Sequence, residues 1–582
     1  MRIGYERDGI HAGDGARLVS DEPKSGGILR RLARGIRSLT EGDPAHPSAE
    51  ALRTTSDVPA PPRASDLINE GLRQRQQQGT AAALPFFARA AQLEPDSHMP
   101  FLMLGNAFTE LGELDSAVLP YQRARDIQPN NHVIRYNLGL LQMWRGYVDA
   151  AIEELRTACR VNPGYLQAWT TYINTLHNSD RFTAEDVATT IREWAAFFGQ
   201  QHPEQPQPER PAGSGRLRVG FLSGDFRTHS VAHFLEPIAS ARDRDAFEYV
   251  FYSNCPQQDS VTARLRTYPD SWREVHQLAD DALIQQIQAD LIDILVDLSG
   301  QTEFNRLAVF ARRAAPLQVT YLGFPNSTGL ATMDYRITDA ATDPQPLADS
   351  LHSEHLLRLP DTQWCFRPFG EIAEPGALPA SEAGFVTFGS FNSLTKASDT
   401  LLRCWKQILA SSTTSRLRLT RVRSMTRAAE IVAEFEKAGI ARERIDCVSY
   451  RNEPPHGRQY AGVDIALDHY PYNGVTTTCE TLYAGVPVVS MHGRYCPSRS
   501  GLSILRSVGL GELVASTPEQ YVRIALDLAG DLPRLARLRA ELRGRFERSP
   551  LRDEKRFAAN FEELLRTAWR LHRKRPDGSA AE

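Results

Sequence analysis

Leu217-Arg218-Val219-Gly220-Phe221-Leu222-Ser223-Gly224-Asp225-Phe226-Arg227-Thr228-His229-Ser230-Val231-Ala232-His233 decides the fold of most of the chain. A short apolar run enters a glycine-bearing loop and then a segment of helical periodicity, as a strand–loop–helix unit requires. The same alternation continues. Apolar, β-branched runs at 217–222, 249–252, 294–298, 318–322 and 335–338 are followed, after a break, by 385–390, 417–419, 445–449, 465–468 and 486–491. Strands alternating with helix-length segments predict parallel, doubly wound sheets. The break at 371–384 (Pro375, Gly376, Pro379, Gly384) separates two Rossmann-like domains, 216–370 and 385–549, with a helix and tail over 550–582. Ligands are expected beyond the carboxyl ends of the strands.

Upstream the pattern differs. Pro95, Pro129 and Pro163 recur every 34 residues, as do Gly71, Gly105 and Gly139, and Gly112 and Gly146. This is the period of tetratricopeptide helix pairs. Small residues let paired helices approach, the second glycine turns helix A into helix B, and proline stops helix B. The sequence predicts an array over 64–199, with clear repeats at 96–129 and 130–163, a degenerate one at 65–95 and further helices from 164 to about 198. A Pro-rich linker, 200–215, follows, and 1–63 reads as a disordered leader in which 28–39 has a basic amphipathic pattern.

Composition narrows the function class. In 582 residues, Lys+Arg 67 against Asp+Glu 71 leave a formal charge of -4, which does not favour nucleic-acid binding. No apolar run reaches membrane-spanning length, so membrane contact is not expected. The seven cysteines form no C-x-x-C pair and read as reduced thiols of a cytoplasmic protein without structural zinc. There is no G-x-x-x-x-G-K-[ST] loop and no G-x-S-x-G elbow, and the lone Asp-x-Asp, Asp243 to Asp245, reads as a surface loop.

Four motifs can carry chemistry. His229 stands where a strand-end loop meets a helix, placed to hydrogen-bond or move a proton near neutral pH, or simply to cap that helix. Gly323 and Pro325 belong to the loop Tyr321–Gly329, which can offer backbone N–H groups to a sugar or diphosphate, or be a turn. Lys396 follows the strand ending Gly389-Ser390 and can meet a diphosphate as a point charge. In Asp468-His469-Tyr470-Pro471-Tyr472-Asn473-Gly474-Val475-Thr476-Thr477-Thr478-Cys479-Glu480, Asn473-Gly474 makes a tight turn. Thr476 and Thr477 cap a helix whose N-terminus suits a phosphate, and Glu480 can accept from ribose hydroxyls.

Taken in order, Arg218–Phe226 with His229 and His233, Ala315–Gln318 with Leu322–Pro325, Met333–Tyr335, Phe391-Asn392 with Lys396, and Asn473-Gly474 with Thr476-Thr477 resemble the protein O-GlcNAc transferase family and its SPINDLY-like relatives. The resemblance covers 216 to about 570 and, loosely, the repeats. It implies a tetratricopeptide array followed by a GT-B glycosyltransferase, with the acceptor on the first Rossmann-like domain and the nucleotide sugar on the second. It further implies that His229 lies by the acceptor hydroxyl, that Lys396 stabilises the diphosphate, and that Thr476 and Thr477 hold phosphate. Gly323, Pro325, Asn392, Asn473 and Gly474 fall among its donor-site motifs, Glu480 falls at ribose, His456 lies beside the nucleotide, and Arg451 lies where backbone reads the base. The family's usual histidine before the threonine pair is here Val475, its glutamine before the lysine is Ser393, and its aspartate is Glu480. The expected activity is inverting transfer of GlcNAc from UDP-GlcNAc to Ser/Thr hydroxyls of polypeptides gathered by the tetratricopeptide groove, without cofactor or divalent metal. Alternatives are a GDP-fucose donor, or a non-catalytic tetratricopeptide scaffold with a nucleotide-sensing Rossmann pair.

Overall fold

The computed structural model describes residues 62–206, 215–455 and 457–574. Nearly all of the expected leader, half of the expected linker and His456 lie outside those residues. The chain divides near Ala168 into two compact units.

The first unit is built from helix pairs: α1 (Ala64–Gln78) with α2 (Thr80–Leu93), α3 (His98–Glu110) with α4 (Leu114–Ile127), and α5 (His132–Arg145) with α6 (Val148–Val161). The 34-residue glycines have one shared cause. A Cβ on Gly71 would stand 2.5 Å from Phe87, on Gly105 2.6 Å from Tyr121, and on Gly139 2.7 Å from Leu155. Each lies on helix A against the same position of helix B, where any side chain would force the pair apart. Gly112 and Gly146 make the A-to-B turns with φ of 71° and 87°. The degenerate repeat is a full helix pair turned at Gly79 (φ 89°).

Two further helices, α7 (Leu166–Leu176) and α8 (Ala184–Gln201), were expected to continue the array; from Trp169 onward they belong to the second unit. Their inner faces are spent on the sheet domains, Ala184 and Ala188 packing with Leu351 of the first and Tyr495 of the second. The His177 ring meets Asn326 (2.8 Å), and a Cβ on Gly329 would strike Ile191 (2.7 Å) and Ala195 (2.8 Å).

The second unit holds two sheets, parallel throughout. The first contains β1 (Leu217–Ser223), β2 (Phe247–Ser253), β3 (Ser271–Glu274), β4 (Ile294–Asp297), β5 (Leu317–Thr320), β6 (Tyr335–Asp339) and β7 (His355–Leu359), in the order β3-β2-β1-β4-β5-β6-β7. The second contains β8 (Thr387–Ser390), β9 (Arg416–Val422), β10 (Ile445–Ser449), β11 (Ile465–Leu467), β12 (Val488–Met491) and β13 (Val514–Ala515), in the order β10-β9-β8-β11-β12-β13. Both are doubly wound. The strand order reverses between β1 and β4 in one and between β8 and β11 in the other, which marks two crevices for ligands.

The segment 371–384, expected to be a linker, is largely structured: Ile372, Leu378 and Ala380 are buried in the second core and Pro379–Ala383 is helical. The last helix, Glu554–Arg573, returns to the first domain. Phe557, Phe561 and Leu565 join Val219, Phe221 and Tyr249 in its core, and Tyr249 donates to Glu562 (3.1 Å).

Candidate donor-binding and catalytic site

At the first switch point, β1 runs into Gly224–Thr228 and the helix Ser230–Ala241. His229 is that helix's N-cap: Nδ1 accepts from Val231 N (3.3 Å) and stands 3.6 Å from the buried Asp225 carboxylate. The capping reading is thus realised. With Nδ1 an acceptor, the neutral ring carries its proton on Nε2 and presents a donor there.

The loop after β5 begins as the tight turn expected of it, with Gly323 N–H donating to the Tyr321 carbonyl (2.8 Å) and Leu322 at φ 63°. Gly323 is required because a Cβ would fall 2.0 Å from the Leu298 carbonyl oxygen. Beyond buried Pro325, the polar groups turn inward. The Ser327 hydroxyl donates to Glu354 Oε2 (2.7 Å), and the Thr328 hydroxyl (2.5 Å) and N–H (2.7 Å) donate to Oε1. Arg336 donates to the carbonyls of Phe324 (2.9 Å) and Asn326 (3.1 Å). The Ser327 and Thr328 hydroxyls and the Thr328 N–H therefore serve a buried carboxylate.

The second switch point gathers more. After β8 come Asn392 and the turn Leu394–Lys396; after β11 come Asp468–Gly474 and the helix Thr476–Tyr483. Asp468 ties these loops together. Its Oδ1 accepts from Gly474 N (2.9 Å), His469 N (2.8 Å) and Asn392 Nδ2 (3.5 Å), and its Oδ2 from the Ser490 hydroxyl (2.7 Å). Burial lifts the Asp468 carboxyl to about 6 even against those donors and Lys396. Gly474 must be glycine because a Cβ would come within 2.8 Å of the Asn392 amide. The Asn473 side chain is consumed inside the turn, donating to the carbonyls of His469 (2.7 Å) and Met491 (3.2 Å) and accepting from Gly501 N (3.2 Å).

Lys396 is half-buried, its Nζ 3.7 Å from the centroid of the Tyr472 ring. Burial lowers its pKa to about 8; Asp468 opposes the shift and Arg421 adds to it. The threonine pair does not cap the helix as expected. Val475 is the N-cap and makes no side-chain cap bond, because Thr476 and Thr477 occupy the first two helical positions and their hydroxyls lie past the capping position. Thr478 and Thr481 bond back to Gly474 O and Thr477 O. The first-turn N–H groups thus point out of an uncapped N-terminus carrying the positive end of the dipole. Glu480 is buried and accepts from the Tyr460 hydroxyl (2.8 Å), which burial and Glu480 together hold protonated. Arg451 lies exposed in the turn Tyr450–Asn452 after β10. Among the described residues, no group of three or more His, Cys, Asp or Glu gathers as a metal site.

A family model for glycosyl transferase family 41 matches residues 195–366 and 377–561, more than half of the chain. The chain belongs to glycosyl transferase family 41. A tetratricopeptide-repeat model matches 105–143. Among curated family relatives, a probable UDP-N-acetylglucosamine–peptide N-acetylglucosaminyltransferase SPINDLY of Solanum lycopersicum is 37% identical over 404 residues, 67% of this chain and 43% of its own length. The Caenorhabditis elegans UDP-N-acetylglucosamine–peptide N-acetylglucosaminyltransferase is 25% identical over 473 residues, covering 61% and 41%. The chain spans less than half the length of these curated relatives. Among solved structures, a lysine-to-methionine mutant of the Thermobaculum terrenum O-GlcNAc transferase superposes with a TM-score of 0.78 at 35% identity, covering 88% of this chain and 98% of that one.

Within this family 41 domain pair, motif reading marked Lys396, Asn392, Gly474, Thr476, Thr477 and Glu480. It gave no role to Asp468, Tyr472, Tyr460 or Arg421. Asp468 closes a buried strand and precedes Gly474 by six positions, which was the one available signal. The other three act on partners that only the folded sheet brings near.

Proposed function

We propose that this protein is an inverting O-glycosyltransferase that moves GlcNAc from UDP-GlcNAc to Ser or Thr hydroxyls of polypeptides, in the cytoplasm and without a divalent metal. The observation that carries the reading is the pairing, at the second switch point, of a half-buried lysine with an uncapped helix N-terminus. Both are suited to a diphosphate, and they come from loops one buried carboxylate ties together. The acceptor oxygen attacks the anomeric carbon as the bond to the diphosphate oxygen breaks; that electron pair remains on the leaving UDP, and the acceptor hydroxyl's proton is released to water. Lys396 and the N–H groups at Thr476 and Thr477 stabilise the charge as it grows. His229, with Nδ1 engaged in its helix, orients the acceptor by donating from Nε2. Glu480, beside the Tyr460 hydroxyl, receives the ribose. The tetratricopeptide groove gathers acceptor polypeptides. Seven free cysteines accord with a reducing compartment.

The test is a calorimetric panel of UDP, GDP, UDP-GlcNAc and GDP-fucose, followed by transfer to acceptor peptides. UDP and UDP-GlcNAc are expected to stabilise the protein by mass action. Stabilisation by the guanine nucleotides alone would reassign the donor to GDP-fucose, and binding without transfer or donor hydrolysis would make the pair a nucleotide sensor.

A further inference from the structure

Lys396 is held without an ion-pair partner: among the described residues no carboxylate oxygen lies within 4.0 Å of its ammonium. Its Nζ stands over the face of Tyr472, 3.7 Å from the ring centroid. The ring is carried by a rigid turn. Asp468 Oδ1 grips that turn at His469 N (2.8 Å) and Gly474 N (2.9 Å), the Asn473 amide fastens it to Met491 and Gly501, and Tyr470 bridges to Ala397, the residue after Lys396. Ring and ammonium thus sit on two loops locked to each other.

The geometry points to Tyr472 as the positioning residue for Lys396, its ring face keeping the ammonium charged and aimed at the leaving diphosphate. The physical ground is what an aromatic face does and a carboxylate cannot. The ring quadrupole stabilises a cation in a partly desolvated site while carrying no net charge, so the whole positive charge remains for an incoming anion. A carboxylate in contact would cancel that field before the donor arrived. The other groups facing Lys396 are Asp468, which favours its charged form, Arg421 at the end of β9, which opposes it, and the buried His469, held neutral by burial and by Lys396 itself. The inference rests on the proposed function in one respect: the anion that Lys396 meets is the donor diphosphate.

The experiment compares Tyr472→Phe, Tyr472→Leu, Tyr472→Met and Lys396→Ala in the full chain, by single-turnover transfer from UDP-GlcNAc and by UDP titration from pH 7 to 9.5, with melting curves alongside. Phe keeps the ring face and is expected to stay within about threefold of the parent, with the same alkaline limb in UDP affinity. Leu and Met fill similar space without a quadrupole. They are expected to slow transfer by about ten- to thirtyfold and to move the alkaline limb to lower pH, because the ammonium loses what favours its charged form. Transfer and pH limb unchanged in whichever of Leu and Met folds, or Phe as slow as these, would overturn the inference, the latter by reducing Tyr472 to a hydroxyl or packing role. If Lys396→Ala itself turns over normally, the donor-site reading fails. If Lys396→Ala is dead while Leu and Met are unaffected, only the role of Tyr472 falls.

Discussion

The strand-end loops of the two sheets look alike in sequence and are used in opposite ways. Phe324–Gly329, after β5, is rich in Ser, Thr and Asn, and its Ser327 and Thr328 hydroxyls serve the buried Glu354. Val475–Thr477, after β11, has fewer polar groups, yet it opens a helix end with no side-chain cap and sets Lys396 beside it on the neighbouring loop. A loop's polar composition does not reveal whether its hydrogen bonds point inward or outward. What decides is which donors the buried carboxylate beneath each loop takes: Glu354 takes the Ser327 and Thr328 hydroxyls, whereas Asp468 takes the N–H groups of His469 and Gly474 and the Asn392 and Ser490 side chains.

The sharpest way to break this contrast is Lys396→Ala. Removing a charge that matters most in the transition state should cost roughly 2.7–4 kcal/mol of barrier, or two to three decades in single-turnover rate. UDP affinity should fall much less, and normal turnover would leave the two loops equivalent. Next in size is the effect of pH. The Lys396 pKa is lowered to about 8, so its proton is lost as pH rises through that value. UDP affinity should therefore be flat below pH 8 and weaken above it by up to about a decade per unit, until the pKa of the bound state is reached. Titrations of Lys396→Ala should lack that limb. On the inward-turned loop, Thr328→Val removes one donor from the buried Glu354 and should cost about 1–3 kcal/mol of stability in denaturant unfolding. UDP affinity should be unchanged, and a loss of affinity instead would mean that the loop faces the donor. Thr477→Val should do the reverse, weakening UDP by about 0.5–1.5 kcal/mol with little change in melting temperature. Smallest is chelation: with charge supplied by Lys396 and the helix end, EDTA should leave transfer unaltered, and a loss restored by magnesium would overturn the metal-free reading.

How far the sequence reached follows the same physics. The repeats were legible because each 34-residue glycine answers one steric contact, and the central strands because burial on both faces makes them continuously apolar. The strands missed were β3, β7 and β13, all at sheet edges, where β3 and β7 are half exposed and β13 is two residues long. Helices α7 and α8 were given to the array because periodicity shows that a helix buries a face and is silent about what covers it. In the site, Lys396 and the threonine pair could be read from motif order. The true N-cap, Val475, could not, since it lacks a capping side chain. Beyond its local bond to Gly474, Asp468 reaches the loop after β8 through Asn392 and β12 through Ser490, 76 and 22 residues away, and no local pattern encodes those two bonds.

The helix Glu554–Arg573 has a consequence for the order in which the molecule is made. Its Phe557, Phe561 and Leu565 close the core built on Val219 and Phe221. On the ribosome, domains ordinarily fold as they emerge, the earlier before the later. Here the second sheet emerges whole while the first still waits for its final helix. The later domain is thus able to finish before the earlier one, and the part of the first core that Phe557, Phe561 and Leu565 fill stays open until residues past 565 have been made.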